Sequence, residues 1–254
     1  MHKAMFAHAH ALAVPGRDQA EAGAKARRLG DCLVALAALA CLLPAMVAIA
    51  IGIWLESGGP IFFSQTRLGQ GGRHFRLHKF RKFHPRAQKD GLALTIKGDP
   101  RMTRVGRALE RTKLDELPQL WNILVGEMAV VGPRPESLAF AACFKGGYAR
   151  VLDHKPGIFG PCQVLFRNEN SFYLPGCDPE GFYRRVLFPL KGDIDLAYFP
   201  HRSLAADAGW AARNVLAVIG WPLLPQEAAW RLDAVEEWLA EFKGDRLAVS
   251  SSRR

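Results

Sequence analysis

The longest uninterrupted hydrophobic segment of the chain runs from Cys32 to Leu55 and contains no charged residue. About twenty apolar residues suffice to cross the hydrocarbon core of a bilayer as a helix. The segment begins too far from Met1, and is too long, to be the core of a standard signal peptide. The pattern therefore predicts a membrane-associated helix, with a fully buried core helix as the alternative.

Basic residues flank this hydrophobic segment on both sides. The flanking cations are Lys25, Arg27 and Arg28 before it and Arg67, Arg73, Arg76 and Lys79 after it. Because positive charge favours the cytoplasmic side of a membrane, both flanks are expected there. Pro44, near the middle, removes a backbone donor and bends a helix. We therefore expect a re-entrant, Pro-broken helix that enters and leaves the same leaflet, rather than a straight span.

The hydrophobic segment is followed by a glycine-rich turn with apolar positions on either side. The stretch Gly58–Phe83 contains an apolar patch, then Gly69-Gln70-Gly71-Gly72, then Phe75 and Leu77 among basic residues. Short apolar runs around such a turn predict a β-hairpin. Neither GxGxxG nor GxxxxGK[ST] occurs here, so we predict no Rossmann unit and no P-loop.

Positive charge is concentrated in one part of the chain. The formal net charge is +10, and residues 61–113 contain fourteen Lys or Arg against three acids. A concentrated basic surface indicates a polyanionic partner: nucleic acid, anionic lipid or a small phosphorylated substrate. Arg104, Arg107 and Arg111 share one face of a predicted short helix, although a solvated basic face is the alternative. The same charge is reinforced by Lys79, Arg81 and Arg101.

Two adjacent carboxylates, Asp115 and Glu116, follow this basic part. Thr112 and Asp115 match a capping box, or Asp115 is itself the N-cap with Pro118 in the first turn, so a helix is predicted to begin here. Its apolar face is predicted to contain Leu117, Leu120, Trp121 and Leu124. A cap explains one acid but not the pair, and an ionised carboxylate beside a bound phosphate can also act as a nucleophile. Both interpretations of Asp115 stay open at this point.

Two later turns carry further candidate phosphate ligands. Arg134 lies in a Pro-Arg-Pro turn, which lowers the entropy cost of presenting a bidentate donor. Lys155, Arg167 and Asn168 lie around Pro and Gly turns and suit phosphate or base contacts. Each of these residues, taken alone, is equally consistent with an ordinary loop position.

Three segments together resemble the bacterial sugar transferase family, the monotopic phosphoglycosyl transferases. They are GGPIFFSQTRLGQGGRHFRLHKFR (58–81), DPRMTRVGRALERTKLDELPQLWNILVGEMAVVGPRP (99–135) and KPGIFGPCQV (155–164). The resemblance runs from about Lys25 to Ile219. The larger members carry extra N-terminal domains, and this chain looks like the short, core-only form.

The resemblance implies a covalent mechanism. Asp115 would attack the β-phosphate of a UDP-sugar, release UMP and hold the sugar phosphate until a polyprenol (undecaprenyl) phosphate accepts it. Glu116 and Asp115 would hold Mg²⁺, which neutralises the diphosphate. The candidate substrate-binding residues are Lys79, Arg81, Arg101, Arg104, Arg134, Arg167, Asn168, Asp195 and Asp207. The family also uses a re-entrant membrane helix, in agreement with the charge pattern around Pro44.

Some positions depart from the family pattern. Leu43-Pro44 stands where Ser-Pro is common, and residues 110–113 read Glu-Arg-Thr-Lys where Arg-Lys-Thr-Ser is common. Phe159 replaces a usual Thr, and Phe166 replaces the Gly before Arg167. The changed charge around Lys113 is expected to alter sugar preference or metal affinity rather than the reaction.

We therefore expect a mostly helical α+β fold with the re-entrant helix, a small β-hairpin and amphipathic helices. The predicted division is a tail (1–24), a membrane helix (25–57), a catalytic domain (58–219) and a C-terminal helical extension (220–254). The extension carries an apolar stripe of Leu232, Val235, Leu239 and Phe242. Its polar face is acidic, so packing on the domain or a partner helix is expected rather than docking on anionic lipid.

The expected location is the bacterial inner membrane, with the site facing the cytoplasm. Five scattered cysteines without metal-binding spacing agree with a reducing compartment. The expected partners are the UDP-sugar, the polyprenol phosphate and the membrane, without nucleic acid, and a homodimer is left open. Two alternatives remain: an inactive scaffold of the same fold, and a membrane-tethered basic protein that binds nucleic acid or anionic lipid.

Overall fold

The computed structural model describes residues 17–85, 99–173 and 178–218. The α-helices are α1 (Arg17–Ser57), α2 (Arg104–Thr112), α3 (Gln119–Leu124), α4 (Pro161–Leu165), α5 (Pro179–Phe182), α6 (Phe188–Tyr198) and α7 (Leu204–Val218). The strands are β1 (Phe62–Leu68), β2 (His74–Phe80), β3 (Ala129–Val131) and β4 (Gly157–Phe159). The mostly helical α+β class is confirmed. The predicted C-terminal extension and its apolar stripe lie outside the described residues.

Helix α1 contains 41 residues and continues through Pro44 without interruption. The predicted apolar helix is confirmed. The expected break at Pro44 is wrong, because the helix is not interrupted there. A proline removes one backbone donor, and the bonds of the neighbouring turns can carry the helix past it. The re-entrant arrangement itself stays a prediction.

One face of α1 packs against the rest of the protein along most of its length. Ala35 lies in a core with Leu77, and further on Ile53 lies in a second core with Phe80 and Leu109. The other face exposes large apolar side chains, among them Leu33, Leu36, Leu43, Val47, Ile51, Trp54 and Leu55. A contiguous apolar surface of this kind marks contact with lipid or with another apolar partner.

Polar side chains attach the first part of α1 to the same domain. Arg28 donates to the carbonyl oxygens of Ile123 and Leu124, the latter at 2.8 Å, where α3 ends. Asp31 Oδ1 accepts a hydrogen bond from the backbone N–H of Val130 at 3.0 Å. A cation at the C-terminal end of a helix also interacts favourably with the helix dipole.

The last turn of α1 is attached as well. The Glu56 carboxylate accepts hydrogen bonds from the backbone N–H groups of Arg104 at 2.6 Å and Val105 at 2.8 Å. It therefore satisfies two free donors at the start of α2. Arg81 donates to Ser57 Oγ at 2.8 Å, so the end of β2 is tied to the end of α1. Both ends of α1 are thus bound to one domain.

Strands β1 and β2 form the predicted antiparallel hairpin, with Phe62 opposite Phe80 and Leu68 opposite His74. Its glycine turn is a short 3-10 segment, Gln70–Gly72. The hairpin lies beside α3 and presents Leu77 to the core. The hairpin prediction is therefore confirmed, and β2 carries its last residues toward the carboxylate pair.

Strands β3 and β4 form a parallel pair that the sequence did not predict. The two chains approach so closely at Gly132 and Gly157 that a Cβ on Gly157 would lie 2.1 Å from the Gly132 nitrogen. Only glycine fits at such a contact. This contact fixes the start of the Pro-Arg-Pro turn relative to the segment that follows Lys155.

The predicted helix start at Asp115 is wrong. Residues Leu114–Glu116 form a 3-10 turn, and α3 begins only at Gln119. The Thr112 hydroxyl donates to the Ala108 carbonyl at 2.8 Å, so it closes α2 instead of capping a new helix. Asp115 makes no capping bond, because its side chain is turned toward lysine.

The predicted apolar face of α3 is correct only in part. Leu120 is buried, whereas the Trp121 residue is 57% exposed and does not share that face. A helix of six residues leaves room for few inward positions, and here they are taken by Leu120 and Ile123.

The remaining helices enclose a third core. It contains Phe140, Leu165, Phe182, Leu187 and Phe188 among its buried members. A π-helical turn, Tyr183–Leu187, joins α5 to α6, and further 3-10 turns are Leu138–Cys143, Gly146–Asp153, Glu169–Ser171 and Phe199–His201. This core forms one side of the cavity that borders Asp115 and Glu116.

Candidate active site

The carboxylate pair lies at a reversal of the chain between α2 and α3. Helix α2 ends at Thr112, and Lys113 adopts the left-handed conformation (φ 59°, ψ 14°). The following turn directs both acids inward, so that Asp115 is 1% exposed and Glu116 is 9% exposed. Two buried acids next to each other require cations or ligands around them.

Glu116 is shared by two cations. Its Oε1 accepts from Lys79 Nζ at 2.8 Å and from Arg134 Nη2 at 3.1 Å. Burial alone would raise the pKa of Glu116, but Lys79 and Arg134 outweigh that effect and hold the pKa well below its usual range. Burial lowers the pKa of Lys79 to about 8, against the attraction of Glu116. The glutamate is therefore ionised at neutral pH.

Asp115 has one paired oxygen and one unpaired oxygen. Its Oδ2 lies 3.3 Å from Lys82 Nζ. Its Oδ1 is buried and has no hydrogen-bond partner. The backbone of Lys82 is placed by a close contact with α2, since a Cβ on Gly106 would lie 2.0 Å from the Lys82 carbonyl oxygen. We call these five side chains, Lys79, Lys82, Asp115, Glu116 and Arg134, the acid-pair cluster.

The acid-pair cluster borders a cavity of about 490 Å³. The cavity also reaches α1, where Val34, Ala38 and Leu42 form an apolar wall. Val215 and Val218 of α7 line it too. The cavity thus offers a charged region and an apolar region that belongs to the long helix.

A second polar group lines the same cavity. Tyr183 donates to Glu136 Oε1 at 2.5 Å, and Tyr173 donates to Glu169 Oε1 at 2.6 Å. Lys191 pairs with Glu169 and donates to the Tyr183 hydroxyl at 3.3 Å. Burial would lower the pKa of Lys191, but the two glutamates outweigh it and raise that pKa. We call Glu136, Glu169, Tyr173, Tyr183 and Lys191 the tyrosine cluster.

The cavity brings together some of the residues expected from the sequence. Those lining it are Lys79, Asp115, Glu116, Arg134 and Arg167. Arg167 donates Nη2 to the carbonyl oxygen of Arg111 at 2.9 Å, so its guanidinium stays near the end of α2. These five residues remain candidates for contact with a substrate.

Other expected residues have different positions. Arg81 is buried at the end of α1, where it donates to the Gly58 carbonyl at 2.6 Å, because β2 ends at Phe80 and the strand alternation no longer applies. Arg101 pairs with Asp99 at 2.6 Å, two residues before it. Arg104 is exposed at the start of α2. None of these three arginines lines the cavity, so their assignment as substrate ligands stays a prediction.

The two supporting acids and Asn168 also lie outside the cavity lining. Asp195 is buried and accepts from the Cys162 thiol at 3.2 Å. Asp207 accepts from Tyr198 at 2.7 Å and pairs with Arg202 at 2.8 Å. Asn168 is exposed. The acids therefore hold neighbouring elements in place rather than facing the cavity.

Several cavity residues were missed by sequence reasoning. They include Lys82, Glu136, Gln163, Glu169 and Lys191. Lys82 had a detectable signal, since it continues the basic run of Lys79 and Arg81. The tyrosine cluster had none, because its members come from segments far apart in the chain.

The site could hold Mg²⁺ only if a substrate and water supplied part of the ligand sphere. Within the described residues no group of three or more His, Cys, Asp or Glu could enclose a metal ion. Mg²⁺ often takes one or two carboxylates and completes its shell with substrate phosphates and water. Glu116, through the oxygen that Lys79 and Arg134 do not contact, and Asp115 could supply those carboxylates.

Fold and site together define a protein with a cation-lined anion site next to a long apolar helix. The profile of the family described as "Bacterial sugar transferase" matches residues 22–220. Because this match covers most of the sequence, the chain belongs to the bacterial sugar transferase family. The resemblance in the three sequence segments is therefore confirmed.

Several curated relatives are named as undecaprenyl-phosphate sugar phosphotransferases. The chain is 40% identical over 140 residues to the UDP-N-acetylgalactosamine-undecaprenyl-phosphate N-acetylgalactosaminephosphotransferase of Aeromonas hydrophila, covering 53% of this chain and 33% of the relative. It is 44% identical over 156 residues to the UDP-glucose:undecaprenyl-phosphate glucose-1-phosphate transferase of Xanthomonas campestris pv. campestris (57% and 31%). A protein of that name from Caulobacter vibrioides is 40% identical over 141 residues (54% and 53%). The matches thus span between about a third and a half of these relatives.

Proposed function

We propose that this chain transfers a sugar-1-phosphate from a UDP-sugar to a polyprenol phosphate, such as undecaprenyl phosphate, and releases UMP. The observation that carries the proposal is Asp115 Oδ1, a buried carboxylate oxygen without a partner beside a cation-lined cavity. The names of the relatives support this acceptor and this reaction class. The product, a polyprenyl diphosphate sugar, would begin the assembly of a cell-surface glycan.

In the first step Asp115 acts as the nucleophile. Its Oδ1 forms a bond to the β-phosphorus, and the bond from that phosphorus to the bridging oxygen breaks. The electron pair leaves with UMP, and the sugar phosphate is held on Asp115 as an acyl phosphate, a mixed anhydride. Lys79, Lys82 and Arg134 lie where they can neutralise charge on the phosphoryl oxygens.

In the second step the polyprenol phosphate takes the sugar phosphate. One of its phosphate oxygens bonds to the phosphorus as the bond to Asp115 breaks, and the carboxylate is restored. The apolar wall of Val34, Ala38 and Leu42 supports this second step, because it puts a lipid-compatible surface in the same cavity as the nucleophile. Catalysis of this kind depends mainly on positioning and charge.

Mg²⁺ remains a proposed cofactor. When bound, it would neutralise the diphosphate charge. Glu116 and Asp115 are the residues that would hold it. With Glu116 already paired to Lys79 and Arg134, its second oxygen is the one available for this purpose.

We also propose that α1 is re-entrant and that the site faces the cytoplasm at the inner membrane. The polar contacts of Arg28 and Asp31 at one end, and of Glu56 and Ser57 at the other, attach both ends to one domain. A straight span would carry one end to the opposite side of the bilayer and break one set of contacts. The apolar exposed face between them supports insertion into lipid.

The reaction is tested with detergent-purified protein, Mg²⁺, undecaprenyl phosphate and a panel of UDP-sugars. We expect one panel member to give UMP, and the product to contain the sugar phosphate on the lipid. Release of UDP would contradict the proposal, since it indicates ordinary glycosyl transfer. Binding of a UDP-sugar without any turnover would favour an inactive scaffold.

The topology is tested by cysteine labelling in a cysteine-free background. Cysteines introduced at the exposed positions Ala24 and Thr66 flank the apolar segment 32–55 of α1. We expect a membrane-impermeant maleimide to label both in inverted vesicles and neither in intact spheroplasts. Labelling of position 24 from the outside would indicate a straight span.

A further inference from the structure

Seven cationic side chains line the cavity: Arg67, Lys79, Lys82, Lys113, Arg134, Arg167 and Lys191. Six of them donate a hydrogen bond or form an ion pair with the protein. Lys113 is the exception within the part of the chain that the structure describes, since its ammonium lies beyond ion-pair distance of every described carboxylate. A cation in that state is available to an incoming anion without breaking an existing pair.

Lys113 has a backbone conformation that lysine does not favour, so its side chain, and not its conformation, explains why a lysine occupies this position. It is the one non-glycine residue with positive φ among the described residues. The residue that ends a helix in the left-handed conformation is usually glycine or asparagine. Glycine would make this turn with less strain, so a lysine here must be accounted for by what its ammonium does.

The surroundings of the Lys113 ammonium favour an anion. Lys113 lines the cavity together with Lys82, Asp115, Glu116 and Arg134. A half-buried cation without a partner gains more from an added anion than an exposed one does. A phosphate oxygen in the cavity would supply that anion.

We propose that Lys113 is a substrate-binding residue that holds a phosphate oxygen of the diphosphate group. The proposal rests on the proposed function for the identity of that diphosphate. The common family residue at this position is serine, so the contact would be an added feature of this chain. Lys113 would bind the phosphate directly.

The test uses the full-length protein in detergent, with UDP and inorganic pyrophosphate as probes in isothermal titration calorimetry with EDTA present. Lys113→Gly removes the ammonium and keeps the turn, while Lys113→Arg keeps the charge. Arg111→Ala is the matched control. Arg111 is exposed, and its replacement removes one positive charge two residues away from Lys113. We expect Lys113→Gly to weaken both probes about tenfold, and the other two variants to stay within about threefold of the parent.

The thermal midpoint of Lys113→Gly should equal or exceed that of the parent, because the turn is relaxed. Unchanged affinity in Lys113→Gly, or an equal loss in Arg111→Ala, would overturn the proposal. If the parent releases UMP from a UDP-sugar while Lys113→Gly binds UDP normally, only the Lys113 contact is excluded. If pyrophosphate binding depends on Lys113 but no UDP-sugar gives UMP, the anion site stands and the proposed function is wrong.

Discussion

The acid-pair cluster and the tyrosine cluster line one cavity but differ in how completely their polar atoms are paired. In the tyrosine cluster the hydroxyls, the ammonium and both carboxylates have partners inside the cluster. In the acid-pair cluster Asp115 Oδ1 is left without one. A buried polar atom without a partner costs about 1–3 kcal/mol. Such a cost is retained where a ligand or a reaction completes the bond.

The two clusters also differ in charge. The acid-pair cluster has three cations for two carboxylates, whereas the tyrosine cluster has one cation for two carboxylates. The first is therefore prepared for an additional anion and the second is not. We infer that the first cluster performs the chemistry and the second one stabilises the wall of the cavity.

The largest expected effect is on turnover in Asp115→Asn. The amide oxygen is a poor nucleophile, so UMP release should fall by at least a factor of about 10³. The thermal midpoint should change little. Asp153→Asn, an exposed substitution of the same kind, is the control and should keep full activity. An Asp115→Asn protein with a tenth of the parent's turnover would exclude the aspartyl intermediate.

Replacement of Lys191 by methionine should mainly affect stability. The substitution leaves the partly buried Glu169 without its cation and should lower the free energy of unfolding by about 3 kcal/mol. The thermal midpoint would fall by roughly 6–12 °C in a protein of this size. Turnover measured well below that midpoint should fall far less than in Asp115→Asn.

Lys82→Met is the matched comparison from the acid-pair cluster. Its partner Asp115 is buried more deeply than Glu169, so the stability loss should be at least as large as in Lys191→Met. Turnover should fall more, because a cation next to the nucleophile is lost. If the two methionine variants behave alike in both measurements, the division between the clusters is wrong.

Asp195 lies behind the tyrosine cluster and gives a pH prediction. Burial raises its pKa to about 7, from a reference value of 3.8. Between about pH 4 and 7 the folded state keeps a proton that the unfolded chain has released, so stability should fall as pH rises through that window. At pH 8 Asp195→Asn should be more stable than the parent by about 2 kcal/mol.

The pH prediction is checked by thermal unfolding of both proteins at several pH values from 5 to 8.5. The parent should lose stability across this range relative to Asp195→Asn, and the difference should level off above about pH 7.5. Cys162→Ala is a useful control, because it removes the thiol donor and keeps the carboxyl. A parallel pH dependence of parent and Asp195→Asn would show that another group is responsible.

The contrast between local and distant patterns explains what the sequence could predict. The helix over residues 32–55 and the hairpin of β1 and β2 were predictable, because hydrophobic runs and glycine turns are local signals. The parallel pair of β3 and β4 was not. Each strand has three residues, and they are brought together by the contact of Gly132 with Gly157, which no spacing encodes.

The site was predictable to a similar extent. Asp115, Glu116 and Arg134 were found because they lie in one long motif, while Glu136, Glu169 and Lys191 meet only after folding. The position of Arg81 was not predictable, since charge in a sequence does not indicate the direction of a side chain. Its guanidinium goes to the end of α1 because the strand has already ended.

The smallest expected effect is that of Tyr173→Phe, which removes one hydroxyl from the tyrosine cluster. Glu169 keeps its ion pair with Lys191, so the loss should be limited to a charge-assisted hydrogen bond, about 1 kcal/mol of unfolding free energy. The thermal midpoint should fall by about 2–4 °C. Turnover at low temperature should stay within about twofold of the parent. A tenfold loss of turnover without loss of stability would mean that the Tyr173 hydroxyl contacts substrate, and the tyrosine cluster would then have to be counted as part of the binding site.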